Sequence, residues 1–137
     1  MVRKVFIAGP LFSESDRSTD KKIVDLCESL NLKTFWSWRD AERFKIHTGE
    51  AVHSINTDAL DNCDLVVANL DGTDIDSGTA WEIGYAFARG KPIIGLRTDF
   101  RTHTKDQKIN LAIESCLKVL TSNLNGLREA ILKITKG

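Results

Sequence analysis

Short apolar runs alternate along this chain with longer stretches whose apolar residues recur every three or four positions. Val5-Phe6-Ile7-Ala8 is an apolar run closed by Gly9-Pro10, which predicts a strand and a turn. Ser13 to Asp20 is polar, and Ile23, Leu26, Cys27 and Leu30 then mark one face of a helix. Lys33 to Trp38 carries Thr34, Phe35, Trp36 and Trp38 and predicts a second strand. Arg39 to Gly49 is polar and is expected to be a mobile loop with a short helix. Val52, Ile55, Ala59 and Leu60 give the next helical stripe, ending near Asn62. Leu65 to Leu70 is an unbroken apolar run that suits a central strand of a parallel sheet. Thr79 to Arg89 follows as a helix with Gly90 as its cap, and Pro92 to Leu96 as a fourth strand. Arg97 to Lys108 is charged and predicts an exposed loop. Ile109 to Ser115 predicts a short helix, Leu117 to Leu120 a fifth strand, and Leu124, Leu127, Ile131 and Ile134 a closing helix.

Strands alternating with helices mean βαβ units with right-handed crossovers. The fold expected is α/β: one doubly wound five-stranded parallel sheet in the flavodoxin-like order 2-1-3-4-5, with helices on both faces. Its crevice opens where the winding reverses, between strands one and three. The segments after those strands, Gly9 to Asp16 and Asp71 to Thr79, both border it, so topology alone brings Glu82 near the pocket.

Composition narrows the partners. The 137 residues fit one domain, 1–137, and 19 Lys plus Arg balance 19 Asp plus Glu. With no net charge, neither a nucleic-acid polymer nor an anionic membrane is an expected partner. Cys27, Cys63 and Cys116 are odd in number and form no CxxC pair, which reads as three buried, reduced thiols rather than a metal site. MVRKVFIAGP turns polar too early for a signal peptide, and no apolar run could span a bilayer. A cytoplasmic domain without cofactor or metal is the expectation.

The stretch Asp71 to Lys91, DGTDIDSGTAWEIGYAFARGK, holds three aspartates in six residues and then opens a helix bearing Glu82. Acids there either cap the helix or face a ligand. Thr79-Ala80-Trp81-Glu82 fits a capping box, and both readings of Glu82 stand on local sequence. A calcium loop starting at Asp74 would need Glu at its twelfth position, where Tyr85 stands. Neither a P-loop nor GxGxxG follows the first strand, and no acidic pair of a response regulator does. Paired carboxylates in a crevice suit cleavage of a glycosidic bond. A nucleoside would add a planar base, for which Phe12, Trp36 and Trp38 are the nearby aromatics.

Phe6-Ile7-Ala8-Gly9-Pro10-Leu11-Phe12, Asp58, Asn62 to Leu70, Asp76-Ser77-Gly78-Thr79-Ala80-Trp81-Glu82-Ile83-Gly84-Tyr85-Ala86, Gly90-Lys91-Pro92, Asp99-Phe100-Arg101 and Ile109-Asn110-Leu111 resemble the nucleoside 2-deoxyribosyltransferase family. The resemblance runs from about Phe6 to Ile113, and its specific part is DSGTAWEIGYA. It implies that Glu82 is the nucleophile of a double displacement and that Asp58 exchanges protons with the base. It implies too that Asp76 and Asn110 hold the sugar's 5′ end, and that Gly9, Gly78 and Phe12 line the sugar and base. Asn110 would reach a neighbouring site, so at least a homodimer is implied, with deoxynucleoside and free nucleobase as partners. Two departures stand out: Phe6 replaces a Tyr that orients the nucleophile, and the chain stops at Lys136-Gly137, without a C-terminal extension. Two alternatives follow. One is a deoxynucleoside 5′-monophosphate glycosidase, with Ser13, Ser15 and Arg17 at the phosphate. The other is a non-catalytic sensor, suggested by Phe6.

Overall fold

Five parallel strands form one sheet in the order β2-β1-β3-β4-β5. They are β1 (Lys4–Ala8), β2 (Lys33–Trp36), β3 (Leu65–Asn69), β4 (Ile93–Leu96) and β5 (Val119–Thr121). The computed structural model describes residues 1–41 and 48–137. Between the strands run α1 (Glu14–Ser29), α2 (Ser37–Asp40), α3 (Gly49–Asn62), α4 (Ser77–Ala88) and α5 (Leu111–Glu114), and α6 (Leu124–Lys136) closes the chain.

Alternation along the strands makes two cores. Val5 and Ile7 of β1 pack with Ile23, Val24 and Cys27 of α1 and with Leu127 and Ile131 of α6. Phe6 and Ala8 point the other way, toward Leu60 of α3 and Ile83 and Ala86 of α4. All five residues of β3 are buried, as its continuous apolar run requires of a central strand. The expected α/β order, with helices on both faces, is the observed one.

Local chemistry shifts several boundaries. Helix α1 begins at Glu14, because Ser13 Oγ accepts from the Asp16 amide at 3.0 Å and Glu14 and Asp16 sit in the first turn. The polar segment to Asp20 is therefore helix, and the loop after β1 shrinks to Gly9–Ser13. The second strand stops at Trp36, whose amide donates to Asp40 Oδ2 at 2.8 Å as the chain turns into α2. Residues 42–47, within the loop expected from Arg39 to Gly49, lie outside the described residues. Helix α4 begins at Ser77, two residues before the expected start. At its other end Gly90 has φ of 73°, and the amides of Gly90 and Lys91 reach back to Phe87 O and Ala86 O. That double closure needs a residue at ease in the left-handed region.

Two expectations are corrected. Cys27 and Cys63 are buried free thiols, but Cys116, just past the end of α5 and at the margin of the second core, is only partly buried. Burial pushes the Cys27 thiol up to about 12. Arg97 opens the expected exposed loop but is itself buried, since its guanidinium donates to the carbonyls of Leu70, Gly72 and Arg101. No helix among the described residues is long and apolar enough to cross a membrane.

Candidate active site

The segments after β1 and β3 flank the point where the winding reverses, and α4 follows directly on the second of them. Asp76 is the N-cap of α4: its Oδ2 accepts from the amide and the hydroxyl of Thr79, each at 2.9 Å. Thr79 is thus a buried residue of the first turn rather than the cap. The expected capping box does not form, and Glu82 accepts no hydrogen bond from any described residue. Both bonds at Asp76 fall on Oδ2, so Oδ1 is left without a partner among the described residues.

Glu82 is the sixth residue of α4 and is partly buried. Burial pushes its carboxyl up to about 8, and the carboxylates of Asp76 and Asp20 add to the rise. A carboxyl with no donor among the described residues and two acidic neighbours keeps its proton near neutrality. A carboxyl with so raised a pKa is unlike a helix cap, and such shifts are common among reacting acids. Among the described residues no group of three or more His, Cys, Asp or Glu side chains could hold a metal ion.

The other expected residues divide. Gly9 begins the loop beyond β1, and a Cβ on it would lie 2.2 Å from Asp20 Oδ1, so only glycine fits. A Cβ on Gly78 would come within 3.3 Å of Asp76 Oδ2. Phe12 is 84% exposed and free to meet a ligand. Trp36 is buried at the end of β2, while Trp38 is stacked under the Arg17 guanidinium at 4.3 Å. Asn110 caps α5, its Oδ1 accepting from the Ala112 amide at 2.8 Å, and its side chain is exposed. Asp58 lies on the exposed side of α3. The inward stripe holds Asn56 instead, about 200° around the helix, and its Oδ1 is buried with no partner among the described residues. Phe6 is fully buried and stacks on Phe35 with centroids 5.4 Å apart.

Sequence reasoning missed Asp20, Asn69, Arg97 and the role of Asp71. Asp20 is fully buried, and its Oδ1 accepts from Asn69 Nδ2 at 2.9 Å. The available signal was spacing: Asp20, Ile23, Val24 and Cys27 follow i, i+3, i+4, i+7, so the acid continues the apolar stripe. Asp71 receives the amides of Thr98 and Asp99 and the Thr98 hydroxyl, stapling the β3–α4 segment to the segment after β4.

The five-stranded parallel sheet in the order 2-1-3-4-5 is of the doubly wound class, which binds small molecules beyond the carboxyl ends of its strands at the switch point. Residues 5–128 match the family model described as nucleoside 2-deoxyribosyltransferase, and the chain belongs to that family, whose enzymes transfer or release glycosyl groups. Among solved structures, a conserved protein from Enterococcus faecalis V583 is 27% identical, with TM-score 0.83 over 97% of this chain and 99% of that one. A 2-deoxyribosyltransferase from Bacillus psychrosaccharolyticus is 23% identical, with TM-score 0.78 over 91% and 90%. A CMP N-glycosidase from Clostridium botulinum is 20% identical, with TM-score 0.65 over 94% and 97%. The last two likenesses show the fold alone. An uncharacterised Schizosaccharomyces pombe protein is 37% identical over 60 residues, which take in 41% of this chain and 28% of that longer relative.

Proposed function

We propose that this protein cleaves the N-glycosidic bond of 2′-deoxynucleosides and passes the sugar to a second nucleobase, or to water, through a glycosyl-enzyme on Glu82. The observation that carries the proposal is Glu82 itself: a partly buried carboxyl in the first half of α4, without a hydrogen-bond donor among the described residues and close enough to Asp76 and Asp20 for their charges to raise it. In the first step Glu82, ionised as pH rises through its raised pKa of about 8, bonds through a carboxylate oxygen to the anomeric carbon while the carbon–nitrogen bond breaks. The electron pair leaves on the base, which takes a proton. In the second step a nitrogen of the incoming base, or water, attacks that carbon and the ester bond to Glu82 breaks, so configuration is retained. The ionised carboxylate also stabilises positive charge developing on the sugar.

Asp76 Oδ1 suits a sugar 5′-hydroxyl, with Asn110 from a neighbouring copy of the chain closing that end. Asp58 is assigned the proton exchange with the base by resemblance alone. Its exposed position makes Asp58→Asn a separate test, and loss of turnover without loss of binding would support the role.

The 5′-monophosphate reading is disfavoured on electrostatics. A dianionic phosphate beside Asp76 would be repelled, and two of the three candidate phosphate ligands, Ser13 and Arg17, have other work. Ser13 Oγ caps α1, and Arg17 donates to Leu11 O at 2.8 Å while lying over Trp38. The deciding experiment supplies deoxyinosine or thymidine, with and without adenine, and separately a deoxynucleoside monophosphate, and resolves the products chromatographically. A new nucleoside formed only with adenine supports transfer. Base release from the monophosphate alone supports the glycosidase, and binding without turnover supports the sensor. Glu82→Ala is expected to lower turnover by roughly a thousandfold or more; full activity in that variant would sink the nucleophile assignment.

A further inference from the structure

Arg97 is a buried cation that the proposed chemistry does not use. It is 6% exposed, and its guanidinium donates to the carbonyls of Leu70, Gly72 and Arg101, to the last at 2.7 Å. All three partners are neutral. Among the described residues no carboxylate forms an ion pair with Arg97, and its Nε is buried without a hydrogen bond. The acids of the adjoining segments are committed elsewhere. Asp71 accepts the amides of Thr98 and Asp99 and the Thr98 hydroxyl, and Asp99 Oδ1 accepts from Arg101 Nε at 2.9 Å. Carbonyl dipoles offset part of the cost of burying a guanidinium, but the charge itself has no counter-charge.

The surroundings of Arg97 show where a counter-charge fits. It directly follows β4 and lines a cleft of about 440 Å³ beyond the carboxyl ends of β4 and β5, a volume ordinary for a small-molecule site. Asp99, Phe100, Arg101, Lys108 and Ser122 line the same cleft. Three cations therefore face one carboxylate, and that carboxylate is already paired with Arg101. The Lys108 side chain is exposed and has no partner among the described residues. Helix α6 starts two residues after Ser122 and has no acid in its first turn, so the positive end of a 13-residue helix adds to the field on that side. Phe100 is 93% exposed and offers an aromatic face beside these charges. A solvated charged loop would account for Arg101 and Lys108. It does not account for a buried guanidinium without an anion.

We propose that this cleft is a second binding site, separate from the switch point between β1 and β3, for a phosphate monoester carried on a planar ring, such as a nucleoside 5′-monophosphate. The phosphate supplies the counter-charge that Arg97 lacks, Arg101 and Lys108 hold it from the loop, and Phe100 takes the ring. This site stands independently of the reading of Glu82.

The test is an NMR titration of the nitrogen-15-labelled protein at constant ionic strength, with inorganic phosphate and 2′-deoxyadenosine 5′-monophosphate as probes. The amide signals of Thr98, Arg101 and Ser122 and the Nε–H signal of Arg97 are expected to shift with both, the nucleotide binding with a Kd below about 1 mM. Lys108→Glu, at an exposed position, is expected to weaken both probes about fivefold or more. Lys136→Glu makes the same charge change at the far end of α6 and is expected to alter them less than about twofold. Phe100→Ala is expected to weaken the nucleotide about fivefold or more and to leave inorganic phosphate unchanged. No shift at these signals up to about 20 mM probe overturns the site, as does equal weakening by Lys108→Glu and Lys136→Glu. Shifts confined to Gly9 and Glu82 would put the anion at the switch point and overturn it too. Equal affinity of the wild type for the two probes overturns the planar ring and assigns the cleft to free phosphate.

Discussion

Asp76 Oδ2 accepts both the amide and the hydroxyl of Thr79 at 2.9 Å, so one carboxylate oxygen starts α4 while the other has no partner among the described residues. The capping duty and the proposed contact with the sugar would then share one side chain, and substitution separates them. Asp76→Asn can keep the cap only by turning its amide nitrogen outward. It is expected to hold stability within about 0.5 kcal/mol while raising KM for a deoxynucleoside roughly tenfold. Asp76→Ala loses the cap as well and is expected to cost about 1–2 kcal/mol. Thermal denaturation beside steady-state kinetics reads both quantities. Equal destabilisation by the two variants would show that capping does not depend on the oxygen assigned.

Gly9 and Asp20 are in closer contact than any larger residue would allow. Gly9→Ala places a methyl 2.2 Å from Asp20 Oδ1 and 3.1 Å from Asn69 Cβ, and is expected to cost roughly 1–3 kcal/mol. Combining it with Asp20→Ser shortens the opposing side chain. The double variant should then lose less than the sum of the singles in urea denaturation. Strict additivity would mean that the cost arises elsewhere.

Arg97 and Asp71 tie together the two segments that follow β3 and β4. Replacing Arg97 with Met leaves the carbonyls of Leu70, Gly72 and Arg101 without their donor, at an expected cost of roughly 2–4 kcal/mol. Hydrogen exchange should quicken at Thr98 and Asp99, whose amides bond to Asp71. Unchanged exchange there would mean that Asp71 alone holds the staple.

Stability should fall as pH rises from about 4 to 8. Asp20 and Glu82 have folded-state pKa values near 7 and 8, above the 3.8 and 4.5 of the unfolded chain. Across that window the folded protein binds more protons than the unfolded one, so their contribution is full below the unfolded values and is lost as pH climbs through the folded ones. Asp64 and Asp99 are lowered by backbone amides of Arg3 and Lys4 and by Arg101, and their contribution is lost only on acidification below about 4. Urea denaturation at pH 5 and pH 8 should differ by roughly 1–3 kcal/mol in the wild type and by less in Asp20→Asn or Glu82→Gln. A wild type more stable at pH 8 than at pH 5 would contradict the pKa directions.

Much of the fold was legible because its code is local. The apolar run from Leu65 to Leu70 has one satisfactory home, the middle of a parallel sheet, and β3 is there. The stripes of α1, α3 and α6 needed only their own spacing. Boundaries were less legible, because the oxygen that ends or starts a helix is chosen among competitors. Asp76, Ser77 and Thr79 can all cap, and local sequence left open whether Thr79 and Glu82 form a capping box, whereas in the fold Asp76 takes the Thr79 amide and Glu82 has no hydrogen bond among the described residues. Asp20 was passed over because an acid reads as polar surface, although its spacing matched the buried stripe.

By itself the sequence determined the order of strands and helices and the acid-rich start of α4, both written in neighbouring residues and periods of two and 3.6. Only the tertiary structure decided which acids share an environment. Asp20 and Asn69 are 49 positions apart, and what brings Asp20 into the field of Asp76 and Glu82 is the closure of α1 over the ends of β1 and β3. Ionisation depends on burial and on charges close in space, and neither is a property of spacing along the chain.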